Sequence, residues 1–273
     1  MALGPASGID LSICTITTQE WKDLEPCLRS LAENLLKERS VEVVIVNNCS
    51  TDTDYGVLEE LRRVFPIHVI ENTERLNFGA NNNLALRAAR GRYVLVLNPD
   101  TLILSGALDR MLDFMESTPG CGASSCKLLY ADRSFQACAR RFPKFRYAVA
   151  SRLHALQKRG RWIDRFVQEY VQSKPGDVDP KPVDSILGAC MFIRRETLDT
   201  VGLFDERFVL HAEDTDLCFR IWKGGWEIWY VPDAAIVHFY ARAAARSLIN
   251  RKTLLQVYTL LLFHAKHTWR VVR

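Results

Sequence analysis

An aspartate follows directly on an apolar run in the first half of the chain. Residues 98–100 read Asn-Pro-Asp and come after the β-branched segment 93–97. A strand end would hold the Asp100 carboxylate in place, and a hard divalent cation bridges such carboxylates to substrate phosphates. Asp100 is therefore a candidate metal ligand. The alternative is an ordinary turn, because Asn, Pro and Asp are all turn residues.

A second acidic feature lies in the segment 211–220, where Glu213, Asp214 and Asp216 precede an amphipathic pattern. A positioned carboxylate can accept a proton from a reacting hydroxyl. The three clustered acids can therefore supply one base and two supporting groups. The alternative is a helix start in which Asp214 or Thr215 is the N-cap and the helix dipole favours Asp216.

His238 also follows an apolar run, at residues 235–237. Its imidazole would then face the same sheet edge as Asp100 and could ligate a metal ion. Neutral imidazole suits Mn²⁺ or Zn²⁺ better than Mg²⁺. A structural histidine is the alternative.

Asparagines dominate the segment 77–83, which contains Asn77, Gly79 and Asn82. The segment precedes a helical pattern and tolerates left-handed backbone, so it could bring amide groups close to a phosphate. It is neither a Walker loop nor a GxGxxG motif. An Asn-rich N-cap is the alternative interpretation.

The candidate residues must be positioned by secondary structure. The first half of the chain alternates β-branched runs with helical patterns. Strands are predicted at 11–17, 41–46, 67–70 and 93–97, with helices between them. Repeated βα units predict an α/β fold with a mainly parallel sheet flanked by helices. Ligands of such sheets bind beyond the carboxyl ends of the strands. The segments 47–52 and 98–101 are therefore expected at the site.

The pattern predicts one α/β domain over residues 9–240, after a disordered tail at 1–8. Its first half would be 9–121, and its second half, 122–240, is expected to complete the site, with shorter strands and a basic amphipathic insertion at about 139–172. Residues 241–273 are predicted to form a C-terminal amphipathic helical segment.

Composition gives little support for a nucleic-acid-binding, secreted or membrane-spanning protein. The chain has 273 residues, and its net charge of +4 is too small to indicate nucleic acid as a partner. Its eight cysteines contain no CxxC pair, and the N-terminus has no secretory h-region. No apolar run approaches the roughly 20 residues that span a bilayer. We therefore expect a cytoplasmic protein with reduced thiols.

Basic residues cluster between positions 140 and 165, where nine arginines and lysines face the single acid Asp164. Interleaved aromatic residues make the segment amphipathic, which suits an interfacial segment on anionic lipid. The alternative is a solvated face that covers the core. Basic residues of the C-terminal helix, such as Lys266, could extend the same surface.

Seven segments in a fixed order strengthen these interpretations. They are residues 43–52, 78–83, 97–101, 188–191, 202–206, 213–218, and 231–233 leading to His238. Together they resemble the family 2 glycosyltransferases with the GT-A fold, especially the bacterial rhamnosyltransferase-like members. The resemblance extends over residues 11–267. It implies that residues 9–240 form the catalytic domain, with a nucleotide-binding half at 9–121 and an acceptor half at 122–240.

The resemblance implies a role for each matching position. The segment carrying Asn47, Ser50 and Asp52 matches the family's base-binding and ribose-binding loop, with Thr15 and Thr17 beside it. Asn98 and Asp100 match the DxD-type metal motif, and His238 a metal-ligand histidine. Glu213 and Asp214 match the acidic pair whose aspartate is the general base. The donor-binding set it implies is Thr15, Thr17, Asn47, Ser50, Asp52, Asn77, Gly79, Asn82, Asn98 and Asp100.

Three asparagines depart from the family pattern. Asn47 and Asn98 stand where aspartate is common, which alters hydrogen bonding at the base and removes one charge from the metal motif. Asn77 stands where glycine is common, and asparagine is the least costly replacement in left-handed backbone.

The activity implied is that of an inverting glycosyltransferase in cell-surface polysaccharide synthesis. It would use Mg²⁺ or Mn²⁺, a nucleotide-diphosphate sugar donor such as dTDP-rhamnose, and a glycan or lipid-linked acceptor, at an anionic membrane surface. Two alternatives are a catalytically silent nucleotide-binding or glycan-binding module and a sugar nucleotidyltransferase. The latter needs a Gly-rich, Arg-containing loop after the first strand, which residues 13–20 lack.

Overall fold

The computed structural model describes residues 8–34, 38–144, 146–147, 160–209, 212–239 and 251–267, without the side chains of 251–254 and 256. Three predicted features lie partly or wholly outside these residues: positions 1–7 of the tail predicted at 1–8, His211, and much of the basic segment, at 145 and 148–159. So do residues 240–250 and 268–273 of the predicted C-terminal part.

The described residues form an alternating series of strands and helices. The strands are β1 Leu11–Thr17, β2 Val41–Asn47, β3 Ile67–Glu71, β4 Tyr93–Leu97, β5 Thr101–Ile103, β6 Cys121–Leu129, β7 Phe135–Gln136, β8 Ala139–Arg140, β9 Lys181–Pro182, β10 Ser185–Ile186, β11 Cys190–Arg194 and β12 Glu227–His238. The helices are α1 Trp21–Glu33, α2 Tyr55–Leu61, α3 Phe78–Ala88, α4 Ala107–Ser117, α5 Arg161–Tyr170, α6 Arg195–Val201, α7 Glu213–Lys223 and α8 Arg251–His267.

A central sheet carries the fold, in the order β3-β2-β1-β4-β11-β6-β12-β5. Strands β1 to β4 are parallel to one another, as the βα pattern predicts. Strand β11 runs antiparallel to both of its neighbours, whereas β6 and β12 pair in parallel. The prediction of an α/β fold with a mostly parallel sheet is confirmed.

One detail of the predicted organisation is confirmed only in part, and another is wrong. Strands β7 to β10 have two residues each, as expected of shorter strands, but β6 has 9 residues and β12 has 12, more than any strand of the first half. Strand β6 reads CGASSCKLL, and its small residues lack the β-branched signature that marks the earlier strands. Helix α3 begins at Phe78 and so contains most of the Asn-rich segment that was expected to precede it.

A buried carboxylate connects neighbouring strands at the end of the sheet opposite the candidate site. Glu42 on β2 is fully buried and accepts hydrogen bonds from Ser12 Oγ at 2.6 Å and from Arg90 Nη2 at 2.6 Å. Burial alone would raise the pKa of Glu42, but the bonds from Ser12 and Arg90 outweigh it and hold the pKa below its ordinary value. This network joins β1 and β2 to the segment after α3.

The C-terminal helix α8 packs on α7. Phe263 is fully buried, and its ring lies 5.6 Å from that of Phe219. Its outer side exposes about half of Val257, Tyr258 and Leu261. No helix among the described residues is long and apolar enough to cross a bilayer.

Candidate active site

Asp100 and His238 meet at one edge of the sheet. Strand β5 pairs antiparallel with the end of β12, so that His238 lies opposite Thr101. As a result, His238 Nε2 is 3.4 Å from Asp100 Oδ1 and 3.3 Å from Asn98 Nδ2. The strand-end positions thus bring the three predicted metal-site residues together.

Gln136 orients the imidazole of His238. Its Oε1 lies 2.9 Å from His238 Nδ1, and both side chains are buried. Because an amide oxygen only accepts hydrogen bonds, Nδ1 carries a proton, and Nε2 is turned toward Asp100 and Asn98. A ligating histidine is commonly held in this way by a partner on its other nitrogen. No local pattern marks Gln136, which lies on a two-residue strand.

The atoms around His238 Nε2 fit a divalent cation. An imidazole nitrogen and a carboxylate oxygen lie 3.4 Å apart, and both are ligand atoms that a divalent cation such as Mn²⁺ accepts. The described part of the chain places no third His, Cys, Asp or Glu side chain for a metal site there. Asp100 and His238 would therefore hold the ion together with oxygen atoms of Asn98 or of a bound diphosphate.

A cavity of about 500 Å³ opens beside this pair. Its lining residues are Ile16, Thr18, Glu20, Asp23, Asn48, Leu76, Phe78, Asn81, Asn82, Leu97, Asn98, Pro99 and Asp100. Of the predicted donor-binding residues, only Asn82, Asn98 and Asp100 are among them.

The cavity is acidic as well as polar. Burial, and then the charges of Asp100 and Asp23, raise the pKa of Glu20 above its ordinary value. A diphosphate entering beside these carboxylates would be repelled without a counter-charge. A cation beside these carboxylates would remove this repulsion. Glu20 and Asp23 lie at the start of α1 and are not among the residues that the sequence predicts.

The threonines of β1 point away from the cavity. Ile16 and Thr18 line it, and because strand side chains alternate, Thr15 and Thr17 lie on the other face. Both of these threonines are buried, and their hydroxyls have no hydrogen-bond partner among the described residues.

The loop after β2 is closed by its own side chains. Asn47 Oδ1 accepts from Ser50 N at 2.7 Å, and Asp52 Oδ2 accepts from Trp21 N at 3.2 Å. Ser50 Oγ donates to Asp52 and accepts from the Gln19 amide. None of Asn47, Ser50 and Asp52 lines the cavity. Asn48 does, and it contacts Thr18 through its amide group.

The Asn-rich segment forms the start of α3. Asn77 is the N-cap: its Oδ1 accepts from Ala80 N at 2.9 Å, and its Nδ2 donates to Glu206 O at 2.8 Å. The N-cap interpretation is therefore correct. Asn77 has φ −78°, so its backbone is extended and not left-handed. Gly79 is buried and, like Asn77, does not line the cavity.

The acidic segment begins α7, but neither Asp214 nor Thr215 caps the helix. The N-cap is Ala212, at φ 69° and without a side-chain hydrogen bond. Asp214 Oδ2 instead accepts from Gly188 N at 3.0 Å. Burial, and then the neighbouring Asp214, raise the pKa of Glu213 to about 8. Burial beside Asp214 therefore favours the neutral, protonated form of Glu213.

Asp216, two residues further on, is fully buried and belongs to the packing of the C-terminal helix. It accepts hydrogen bonds from Arg220 Nε at 2.9 Å, Lys266 Nζ at 3.0 Å and His267 Nε2 at 2.8 Å. Lys266 also bonds Asp205. Lys266 is thus paired with the buried Asp216 and the partly buried Asp205, and it does not extend a basic outer surface.

The described parts of the basic segment are divided between core and surface. Phe142 packs against Phe219, with ring centroids 5.0 Å apart, and Tyr147 is buried. Trp162 on α5 is half exposed. Two of the aromatic residues expected on an amphipathic face therefore belong to the core.

Comparison with known proteins decides the family. A family model described as "Glycosyl transferase family 2" matches residues 12–202. The chain belongs to glycosyl transferase family 2. Its curated relatives include the N-acetylglucosaminyl-diphospho-decaprenol L-rhamnosyltransferase of Mycobacterium tuberculosis, 30% identical over 250 residues, which are 86% of this chain and 78% of that protein. Rhamnosyltransferase WbbL of Escherichia coli is 27% identical over 184 residues, 64% of each protein.

Solved structures of glycosyltransferases share the fold of this family 2 member. The TarS fragment 1–349 of S. aureus with UDP-GlcNAc aligns with a TM-score of 0.64 at 17% identity, over 97% of this chain and 68% of that one. The mannosyltransferase PcManGT from Pyrobaculum calidifontis, solved with GDP-Man and Mn²⁺, aligns with a TM-score of 0.60 at 20% identity, over 97% and 66%. The predicted GT-A fold is confirmed.

Proposed function

We propose that this glycosyltransferase moves a sugar, rhamnose by analogy with its relatives, from a dTDP-type donor to a hydroxyl of a glycan or lipid-linked acceptor, with inversion. The observation that carries the proposal is the arrangement of two chemically distinct groups around one cavity. Asp100 lines the cavity and contacts His238, and Asp214 is bonded to Gly188, which adjoins the ring of the cavity-lining Phe78.

Each group supplies a different part of the reaction. A bound divalent cation neutralises the charge that develops on the departing diphosphate. Asp100 and His238 would hold it, and Asn82 and Asn98 would contribute polar contacts to the donor. The acceptor hydroxyl attacks the anomeric carbon from the face opposite the diphosphate, and Asp214 takes its proton. Attack in one step inverts the configuration.

Removing the charge of Asp100 should separate metal binding from the rest of the site. We expect Asp100→Asn to weaken the Mn²⁺-dependent binding of dTDP by at least about tenfold, because loss of partners beyond the metal ligands themselves already costs 10–100-fold. Isothermal titration of dTDP with and without Mn²⁺ measures the effect. Asp109→Asn, at an exposed position of α4, is the matched control. Metal-dependent affinity that is unchanged in Asp100→Asn would remove Asp100 from the site.

We further propose that the enzyme acts in the cytoplasm, at an anionic membrane surface where a lipid-linked acceptor would lie. Its eight cysteines are free, which suits a reducing compartment. Arg161, Trp162 and Arg165 are exposed on α5, a combination that favours anionic headgroups.

Liposome co-sedimentation at low salt tests this membrane proposal. We expect stronger binding to vesicles that contain anionic lipid than to neutral vesicles, and weaker binding to the anionic vesicles when Arg161 and Arg165 are replaced by glutamine. Equal binding to both kinds of vesicle would contradict the proposal.

A further inference from the structure

The ring of Phe78 lies between the donor cavity and the candidate base. Phe78 is the first residue of α3 and lines the cavity together with Asp100. A Cβ atom placed on Gly188 would come within 3.1 Å of Phe78 Cζ and 3.7 Å of Asp214 Cβ. The tip of the ring, the backbone of Gly188 and the side chain of Asp214 are thus neighbours. Glycine at this position leaves room for the ring, which a Cβ atom would displace by a few tenths of an ångström.

Contacts on its other side hold the ring in place. Phe204 packs edge-to-face against Phe78, with centroids 5.9 Å apart and an angle of 79° between the ring planes. The backbone of Phe204 is in turn fixed by Asn83, whose side chain accepts from Phe204 N at 2.9 Å and donates to Phe204 O at 2.9 Å. The ring is therefore a fixed wall of the cavity.

The transferred sugar would lie against this wall. Its diphosphate would lie near Asp100 and its anomeric carbon would be attacked from the side of Asp214, so the pyranose lies between them, next to Phe78. Leu76 and Leu97 extend the apolar lining. A hydroxyl group pressed against such a surface loses its hydrogen bonds to water, whereas a methyl group gains apolar contact.

We propose that Phe78 is a specificity-determining residue that packs against the transferred sugar and favours a 6-deoxyhexose over the corresponding 6-hydroxy sugar. This inference rests on the proposed function, and it adds a reason, from the residues of this chain, for the choice of sugar.

Two donors that differ only at C6 provide the test: dTDP-L-rhamnose and dTDP-L-mannose. We measure their dissociation constants with Mn²⁺ by competition against dTDP, and kcat/KM from dTDP release. The wild-type enzyme is expected to prefer rhamnose by about 10–100-fold, the range that apolar pockets achieve against an added hydroxyl. Phe78→Ala should reduce this ratio to about threefold or less, and Phe78→Leu should retain more of it.

Binding of dTDP alone shows whether a negative result contradicts this inference or the proposed function. Phe78→Ala and Phe78→Leu should both bind dTDP within about twofold of the wild type, since the inference places Phe78 on the sugar and not on the nucleotide. Phe114→Leu, whose ring packs on Trp229 outside the cavity lining, should leave the sugar ratio unchanged. A ratio near one in the wild type, or a ratio unaffected in both Phe78 variants, would overturn the inference while dTDP binding still supported the proposed function. Absence of dTDP binding in the wild type would instead contradict the proposed function.

Discussion

Replacement of Asp214 by asparagine is expected to lower kcat/KM for sugar transfer by about 10²–10⁴-fold, the contribution that a positioned general base makes. Asparagine has the same shape, and its amide oxygen can still accept the hydrogen bond that Gly188 N donates to Asp214 Oδ2 at 3.0 Å. The amide nitrogen of asparagine cannot accept a hydrogen bond, so the bond that Thr215 N donates to Asp214 Oδ1 at 2.7 Å, at the start of α7, is lost. The proton acceptor is lost while most of the local structure remains.

Transfer of labelled sugar at saturating donor, combined with calorimetric titration of dTDP, separates chemistry from binding. Donor affinity should stay within about threefold of the wild type. Asp233→Asn, the same change at an exposed position of β12, is the control for the substitution itself. In Glu213→Gln the amide resembles the neutral form that a pKa of about 8 maintains at pH 7, so we expect a loss of less than about tenfold. Turnover of Asp214→Asn close to that of the wild type would exclude Asp214 as the base.

The parallel half of the sheet could be predicted because its strands carry their own signal. Val41–Asn47 and Tyr93–Leu97 are β-branched or apolar runs that follow one another in βα order. This order also predicted that residues after the strands gather at one edge, where Asp100 and Asn98 are found. Strand β6 lacked such a signal, since its side chains are small and its stability comes from neighbours distant in sequence.

Other parts of the candidate site depend on contacts that no local pattern encodes. The face of β1 that lines the cavity carries Ile16 and Thr18, and choosing Thr15 and Thr17 by residue type misses the alternation of the strand. Gln136 matters because of one bond to His238, across 102 positions of sequence. Phe78 matters because Gly188 leaves space for its ring. The candidate reacting groups could be predicted from their residue types. The residues that orient them could be recognised only from their contacts in the folded structure.

Asp216 offers the largest expected effect on stability. Its fully buried carboxylate joins Arg220 on the same helix to Lys266 and His267 on α8. Removal of one partner from a buried ionic group leaves charges without compensation and costs about 3–5 kcal/mol. We expect Asp216→Ala to lower the free energy of unfolding by this amount at pH 7, measured by urea denaturation. Asp233→Ala, at an exposed position, should change it little.

The pH dependence of this loss identifies its cause. Burial would raise the pKa of Asp216, but the hydrogen bond from His267 and the charge of Arg220 outweigh it and leave the pKa below its ordinary value. A carboxyl group with a lowered pKa stabilises the fold above its unfolded value of about 3.9, and this contribution is lost as the pH falls through the folded pKa. The difference between wild type and Asp216→Ala should therefore be largest near pH 7 and shrink below about pH 4.

A second substitution tests whether α8 is coupled to the base through this cluster. Lys266→Met removes one of the cations that Asp216→Ala leaves uncompensated, so the double variant should be more stable than the sum of the two single changes predicts.

Asp214 precedes Asp216 by two residues on α7, and loosening of that helix should lower kcat more than it raises KM for the donor. Strict additivity of the two changes in stability would show that Lys266 and Asp216 act independently. In that case α8 would be held on α7 by the apolar contact of Phe263 with Phe219 and not by charge.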